Sequence, residues 1–245
     1  MIVWFATGNI HKKEELSAIL RGAIPAATAP GVEDPAWEHN IQREVKIPWE
    51  LKIPNDACLA FEPEETGNSF LENALIKAGE LWCLLEEKRP NAAGHAVWRQ
   101  GDPVIADDSG LCVDALGGRP GIHSARYGGR ELPAAEKNAL LLAELGNNPR
   151  RSARFVCAMV LYYGPNRFFA AQETLEGELV LNPDAARGRG GFGYDPILRI
   201  PELGRTVAEL SDEEKNRISH RGKAGRAIGT ILAGIALAAN GIGRT

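Results

Sequence analysis

Apolar residues fall along this chain in two patterns, short unbroken runs and runs spaced at three and four. The first pattern opens the chain: Ile2-Val3-Trp4-Phe5-Ala6 predicts a buried strand. After Thr7-Gly8-Asn9 the second pattern takes over, with Leu16, Ile19 and Leu20 on one face of a helix from His11 to Leu20. Ala23 to Glu62 has neither pattern, is interrupted by prolines at 25, 30, 35, 48 and 54, and is expected to form loops and short strands. Leu71, Leu75, Ala78, Trp82 and Leu85 then line one face of a strong helix whose other face carries Ser69, Asn73, Lys77 and Glu80. A second loop, Lys88 to Asp102, leads to a strand before Asp107.

Pro133 to Leu145 reads as a helix, with proline near its start and Gly146 just past its end, where each is favoured. Phe155 to Tyr163 and Arg167 to Leu175 read as strands joined by Gly164-Pro165-Asn166, which predicts a hairpin. A short strand is expected beyond Gly188 to Pro196, and Ser211 to Glu214 is a capping box opening a helix that bears Lys215. Gly222 and Gly225 are read as punctuation before a last helix, Ala227 to Ala239. Strands alternate with helices but the hairpin is antiparallel, so the expected class is α/β, a mixed central sheet flanked by helices.

Composition narrows the setting. The 245 residues, 44% hydrophobic and 24% charged, suit one domain spanning 1–245 with two lobes. The net charge of −4 offers no general field for a nucleic-acid backbone, so no nucleic-acid partner is expected, while a small anionic ligand stays compatible. Cys58, Cys83, Cys112 and Cys157 form no CxxC pair and have no histidine at zinc-ligand spacing, which fits a reducing cytoplasm. The start of the chain lacks a basic region and a long apolar core, and Ala227 to Ala239 falls short of the roughly 20 residues that span a bilayer, so no membrane association is expected.

The candidate chemistry sits where elements meet. Val104 to Leu111 carries an apolar strand into Asp107 and Asp108 and then a Ser109-Gly110 turn; carboxylates there are costly to desolvate, and either Mg²⁺ and a polarised water or turn-capping bonds would receive them. Thr7-Gly8-Asn9-Ile10-His11-Lys12 lies between strand and helix, as a phosphate cradle or as a simple helix cap with a solvated lysine. Gly188 to Gly193 matches GxGxxG, but Asp195-Pro196 follows instead of a helix, so it is not a dinucleotide fingerprint. It reads as a turn presenting Phe192 and Asp195 to a flat base, or as a loop with Phe192 packed inside. Ser219-His220-Arg221-Gly222-Lys223 concentrates donors for an acceptor-rich ligand or complements a helix C-terminus. Glu64, Glu65 and Lys77 by themselves read as solvated groups, and Ser109 lacks the GxSxG elbow of a nucleophile.

Taken in order, ATGN at 6–9 with Lys12, EETG at 64–67, ENALIKA at 72–78, ADDSGL at 106–111, GGRPGIHSARY at 117–127, GGFGYDP at 190–196 and AELSDEEKNRISHRGKA at 208–224 resemble the inosine triphosphate pyrophosphatase family, whose members are also described as dITP/XTP pyrophosphatases. The motifs span nearly the whole chain. The resemblance implies a two-lobed homodimer with a nucleotide cleft between the lobes, hydrolysing deaminated purine triphosphates such as ITP, dITP and XTP to monophosphate and pyrophosphate with Mg²⁺. It puts Thr7, Gly8, Asn9, Ile10, His11 and Lys12 on the phosphates, without a separate role for the His11 side chain. On the same resemblance Glu64 and Asp108 would hold the metal, Asp108 would also accept the proton, and Glu65 and Asp107 would support the site; Glu62 and Glu65 are further candidates for the place of Glu64. It likewise implies that Lys77, Ser109 and Lys215 contact the nucleotide, that Phe192, Gly193, Tyr194 and Asp195 line the base and sugar pocket, and that His220 and Arg221 read the base. Residues about 31–60 and 88–103, with Trp37, Trp49 and Trp98, look like insertions into the family pattern. Two other readings stand beside this one: a nucleotide-binding regulator without chemistry, and a pyrophosphatase of different base preference.

Overall fold

The computed structural model of the chain describes residues 1–22, 49–88, 101–129, 132–188 and 193–239. Among the described residues seven strands form one sheet in the order β2-β1-β3-β4-β5-β6-β7, comprising β1 (Ile2–Phe5), β2 (Glu50–Lys52), β3 (Val104–Val113), β4 (Ser152–Gly164), β5 (Arg167–Leu179), β6 (Leu198–Ile200) and β7 (Arg205–Thr206). The first three pair in parallel and every pairing from β3 onward is antiparallel, so the sheet is mixed as the alternation predicts. Five α-helices accompany it among the described residues: α1 (Ile10–Gly22), α2 (Phe70–Glu87), α3 (Ala134–Leu145), α4 (Asp212–Ile218) and α5 (His220–Ala239).

The unbroken apolar runs follow from burial on both faces of the sheet. On one face Val3, Phe5, Ile105, Met159 and Leu161 pack against Leu16 and Leu20 of α1 and Ile228 and Leu232 of α5. On the other, Trp4, Val104, Ala106 and Val160 pack against Ala74, Ala78, Leu81 and Leu85 of α2. Farther along the long strands, Leu111, Val113, Phe155 and Leu175 join Leu141 and Leu145 of α3 and Tyr194 in a third cluster. Trp49 packs at the margin of the α1/α5 layer, whereas Trp37, Trp98 and most of both expected insertions lie outside the described residues. Local chemistry sets the helix starts: Ser69 Oγ accepts from Glu72 N at 3.1 Å ahead of α2, and Ser211 with Glu214 closes a capping box on α4.

Several expected boundaries differ in the structure. The strand leading to Asp107 does not end in an Asp-Ser-Gly turn, because β3 runs to Val113 and pairs with β4 along its whole length, putting both aspartates in mid-strand. The donor-rich stretch at 219–223 is not a loop, and the last helix begins at His220 instead of Ala227. Ser219 Oγ accepts from Gly222 N at 3.0 Å and caps that start. Gly222 and Gly225 are thus inside α5, where a side-chain carbon would strike the Asn216 carbonyl and sit 2.8 Å from Ile19. These glycines permit close packing; they do not end a helix. The hairpin strands are also longer than their apolar cores, extending to Ser152 and Leu179.

Candidate active site

Successive side chains of a strand point to opposite faces. Asp107 therefore enters the α1/α5 layer and Asp108 the α2 layer, and each meets a different set of partners. Lys12 Nζ lies 3.0 and 3.2 Å from the two Asp107 carboxylate oxygens. Arg221 donates to Asp107 Oδ2 through Nε at 3.2 Å, to Ser109 Oγ at 3.0 Å and to Glu15 at 2.6 Å. Burial alone would raise the Asp107 pKa, but Lys12 and Arg221 hold it well below the usual carboxylate range. Burial works against the Arg221 charge too, and Asp107 and Glu15 more than offset it, so the guanidinium stays protonated.

Asp108 is differently surrounded. Its Oδ2 accepts from Asn73 Nδ2 at 3.0 Å, and its Oδ1 accepts from Ser109 N at 3.1 Å and Lys77 Nζ at 3.4 Å. Lys77 spends its shorter bond, 2.7 Å, on Glu65. Burial raises the Asp108 pKa, and Lys77 and Asn73 reverse this only in part. Lys77 itself is held above the ordinary lysine value, since Asp108, Asp107 and Glu65 outweigh its own desolvation.

The phosphate-loop candidates form the approach to α1. Asn9 Oδ1 accepts from His11 N at 2.9 Å and Lys12 N at 3.3 Å, so its side chain caps the helix, and Thr7 Oγ1 accepts from Asn9 N at 3.1 Å. Gly8 has open space where a side chain would stand. Ile10 and His11 are exposed, His11 lying beside Glu14 on the same helix. Glu64 is exposed and makes no side-chain hydrogen bond among the described residues; it is Glu65 that joins Lys77 and Asp108.

A third group follows the glycine-rich loop. Asp195 is buried and accepts from Lys215 Nζ at 2.8 Å, tying that loop to α4. Asn138 of α3 donates to the Gly193 carbonyl at 3.1 Å, and Tyr194 donates to the Ser124 carbonyl at 3.0 Å. Phe192 lies outside the described residues. His220 stacks on Phe155 with centroids 4.9 Å apart, and burial pushes its pKa well below the ordinary histidine value, so it is neutral with Nδ1 unpartnered among the described residues. Arg221, its neighbour, turns to Asp107 instead. Sequence reasoning gave no role to Asn73, Glu15, Asn138 or Ser124. Asn73 lies inside the ENALIKA motif and Ser124 inside GGRPGIHSARY, motifs that carry the resemblance without assigning either residue a task; for Glu15 and Asn138 only the fold supplies the pairing.

Lysines, an arginine and paired carboxylates arranged about the middle of a mixed sheet define an α/β protein with a site suited to a polyanion and a general base. A model of the Ham1 family matches residues 3–230. The dITP/XTP pyrophosphatase of Treponema denticola is 40% identical over 237 residues, covering 96% of this chain and 100% of that protein. The dITP/XTP pyrophosphatase of Geobacillus kaustophilus is 48% identical over 185 residues, 75% of this chain and 80% of the relative. The solved structure of the Staphylococcus aureus Ham1 protein superposes with a TM-score of 0.70 at 31% identity, covering 96% of this chain and 99% of that one. The chain belongs to the Ham1 family.

Proposed function

We propose that this chain hydrolyses deaminated purine nucleoside triphosphates, dITP, XTP and ITP, to the monophosphate and pyrophosphate. The observation that carries the reading is the division of labour between neighbours on β3: Asp107 is neutralised by two cations while Asp108 is left with a raised proton affinity, the property a general base needs. Water attacks the α-phosphorus, its proton passes to Asp108, and the bond from that phosphorus to the bridging oxygen breaks as pyrophosphate leaves. Lys12, Lys77 and Lys215 offset phosphate charge. Thr7 to His11 border the phosphates, Ser109 contacts the nucleotide, and Phe192 to Asp195 line the base and sugar pocket.

Magnesium fits the donors present. Oxygens of Glu65 and Asp108 converge on one ammonium, at 2.7 and 3.4 Å, with Glu64 exposed alongside. Among the described residues no three acid, histidine or cysteine side chains gather to hold an ion, and Mg²⁺ needs only one or two carboxylates when substrate phosphates complete its shell. Asp108 and Glu64, or Glu65, would hold it. When bound, the ion supplies charge neutralisation at the phosphates.

For the base, a neutral His220 offers one donor, and the 6-oxo group of hypoxanthine or xanthine accepts where the 6-amino group of adenine cannot; a site built on such bonds discriminates by up to about 10⁴. Backbone near His220 is the further donor, while Arg221, whose guanidinium is engaged by Asp107, Glu15 and Ser109, anchors the start of α5 that carries His220. A homodimeric, two-lobed cytoplasmic enzyme belongs to the same reading; among the described residues no helix is long and apolar enough to cross a membrane. The test is pyrophosphate release from dITP, XTP, ITP, GTP and ATP, with Mg²⁺ or EDTA, for the wild type and Asp108→Asn. We expect metal-dependent release from the first three, lost in the variant, with ¹⁸O from labelled water in the monophosphate; GTP shares the 6-oxo group and is rejected at its 2-amino group instead. Equal turnover of ATP, or label in pyrophosphate, refutes the reading.

A further inference from the structure

We infer that Asn73 is a positioning residue that fixes the Asp108 carboxylate against the acidic 64–67 loop, so that turnover depends on it although it touches no substrate. The inference rests on the proposed hydrolysis and deepens it. Asn73 is fully buried on the first turns of α2, and both ends of its carboxamide are engaged. Oδ1 accepts from Gly67 N at 2.8 Å and Nδ2 donates to Asp108 Oδ2 at 3.0 Å. The assignment of the two ends is forced by the partners: a backbone N–H can only donate and an ionised carboxylate can only accept.

No other side chain of this length does both at once. Aspartate would put a second carboxylate against Asp108, leucine would leave two buried polar groups unpaired, and glutamine is a methylene too long. The Gly67 position confirms how tightly the brace is drawn, because a side-chain carbon there would come 2.8 Å from Asn73 Oδ1 and 2.9 Å from Asn73 N. With Ser109 N and Lys77 on Oδ1 and Asn73 on Oδ2, the carboxylate plane is held at both oxygens, and among the described residues one acceptor site on Oδ2 is left open. Gly67 closes the Glu64-Glu65-Thr66 loop, so the same amide also sets the distance between those acids and Asp108. Without it the carboxylate turns about its bond on the Lys77 side, and misplacement of a catalytic group by about 1 Å costs roughly 100-fold in rate.

The test pairs kinetics with a readout independent of turnover. For Asn73→Ala we expect kcat on dITP to fall about 10- to 100-fold while KM stays within about threefold. Leu85→Ala, buried in the core about three helical turns farther along α2 and away from the site, lowers the melting temperature but leaves kcat intact. In parallel, the side-chain amide of Asn73 is followed by ¹⁵N NMR in the wild type and in Asp108→Ala. Its protons should be slow to exchange in the former, and shifted and faster in the latter. An unchanged kcat, a loss carried by KM, a matching kcat loss in Leu85→Ala, or an Asn73 amide indifferent to Asp108 overturns the inference. A wild type inert towards dITP and XTP would refute the functional reading instead, and the amide signal would still decide whether the brace exists.

Discussion

Gly110→Ala tests whether the candidate site is held together through the short helical turn at Gly121–Arg126. A side-chain carbon at position 110 would stand 2.5 Å from Ser124 Oγ and closer still to the Gly121 carbonyl, against an ordinary contact of 3.4 Å or more. The turn must retreat by roughly 1 Å, and overpacking of that kind costs about 1–3 kcal/mol. Its retreat also breaks the bond from Leu111 N to Ser124 Oγ, 2.9 Å long and buried, leaving an N–H unpaired for about 1–3 kcal/mol more. For a chain of this size each kcal/mol moves the melting temperature by about 2–4 °C, so calorimetry should register a fall of roughly 5–20 °C. Because Tyr194 donates to the Ser124 carbonyl at 3.0 Å, the Gly193–Asp195 loop moves too, and KM for dITP should rise. Gly234→Ala is the control with opposite sign: it lies within α5 with open space around it, and should stabilise by up to about 1 kcal/mol. A Gly110→Ala protein melting within about 2 °C of wild type would refute the packing argument.

Other outcomes follow from the charge clusters. The depressed pKa of Asp107 contributes stability that is fully present above the ordinary carboxylate value of about 3.9 and is lost as pH falls from there toward the folded value, so acid unfolding should be shallower over that interval in Asp107→Asn than in the wild type; parallel curves would exclude the linkage. Arg221→Ala leaves Asp107 and Glu15 buried with one cation between them and should cost about 3–5 kcal/mol in urea unfolding, whereas a surface arginine would cost under about 1.

The elements were legible in the sequence wherever periodicity or capping chemistry is local, as in α2, the hairpin and the Ser211–Glu214 box. The length of β3 was not, because Asp-Ser-Gly has the composition of a turn and only a thirteen-residue partner strand overrides it. The start of α5 was readable in principle from Ser219 three residues before Gly222, but the glycines there serve packing against Asn216 and Ile19, contacts made only in three dimensions. Site candidates were found as charges and motifs, yet their pairings were not. Asn73 reaches Asp108 across 35 positions and Arg221 reaches Asp107 across 114, distances over which a single sequence carries no pairing signal. Glu65 rather than Glu64 against Lys77 is likewise a matter of loop geometry, set by Gly67.

The adjacency of Asp107 and Asp108 acquires its meaning from the pleat. Were both carboxylates on one face, Lys12, Arg221 and Lys77 would distribute among them and neither would differ much from the other. Opposite faces give each its own helices and its own balance of charge. On the α1/α5 side Asp107 and Glu15 meet Lys12 and Arg221, acid for base, and the cluster is closed. On the α2 side Asp108 and Glu65 share Lys77 alone, and that ammonium sits nearer Glu65, at 2.7 Å against 3.4 Å. The second cluster is therefore short of positive charge, which is why burial prevails in raising the Asp108 pKa and why a cation arriving with a polyphosphate would find unspent carboxylate oxygen there. A neutral anchor beside an under-compensated carboxylate is the arrangement the proposed hydrolysis requires, a site that stays folded when empty and keeps oxygen free for a cation.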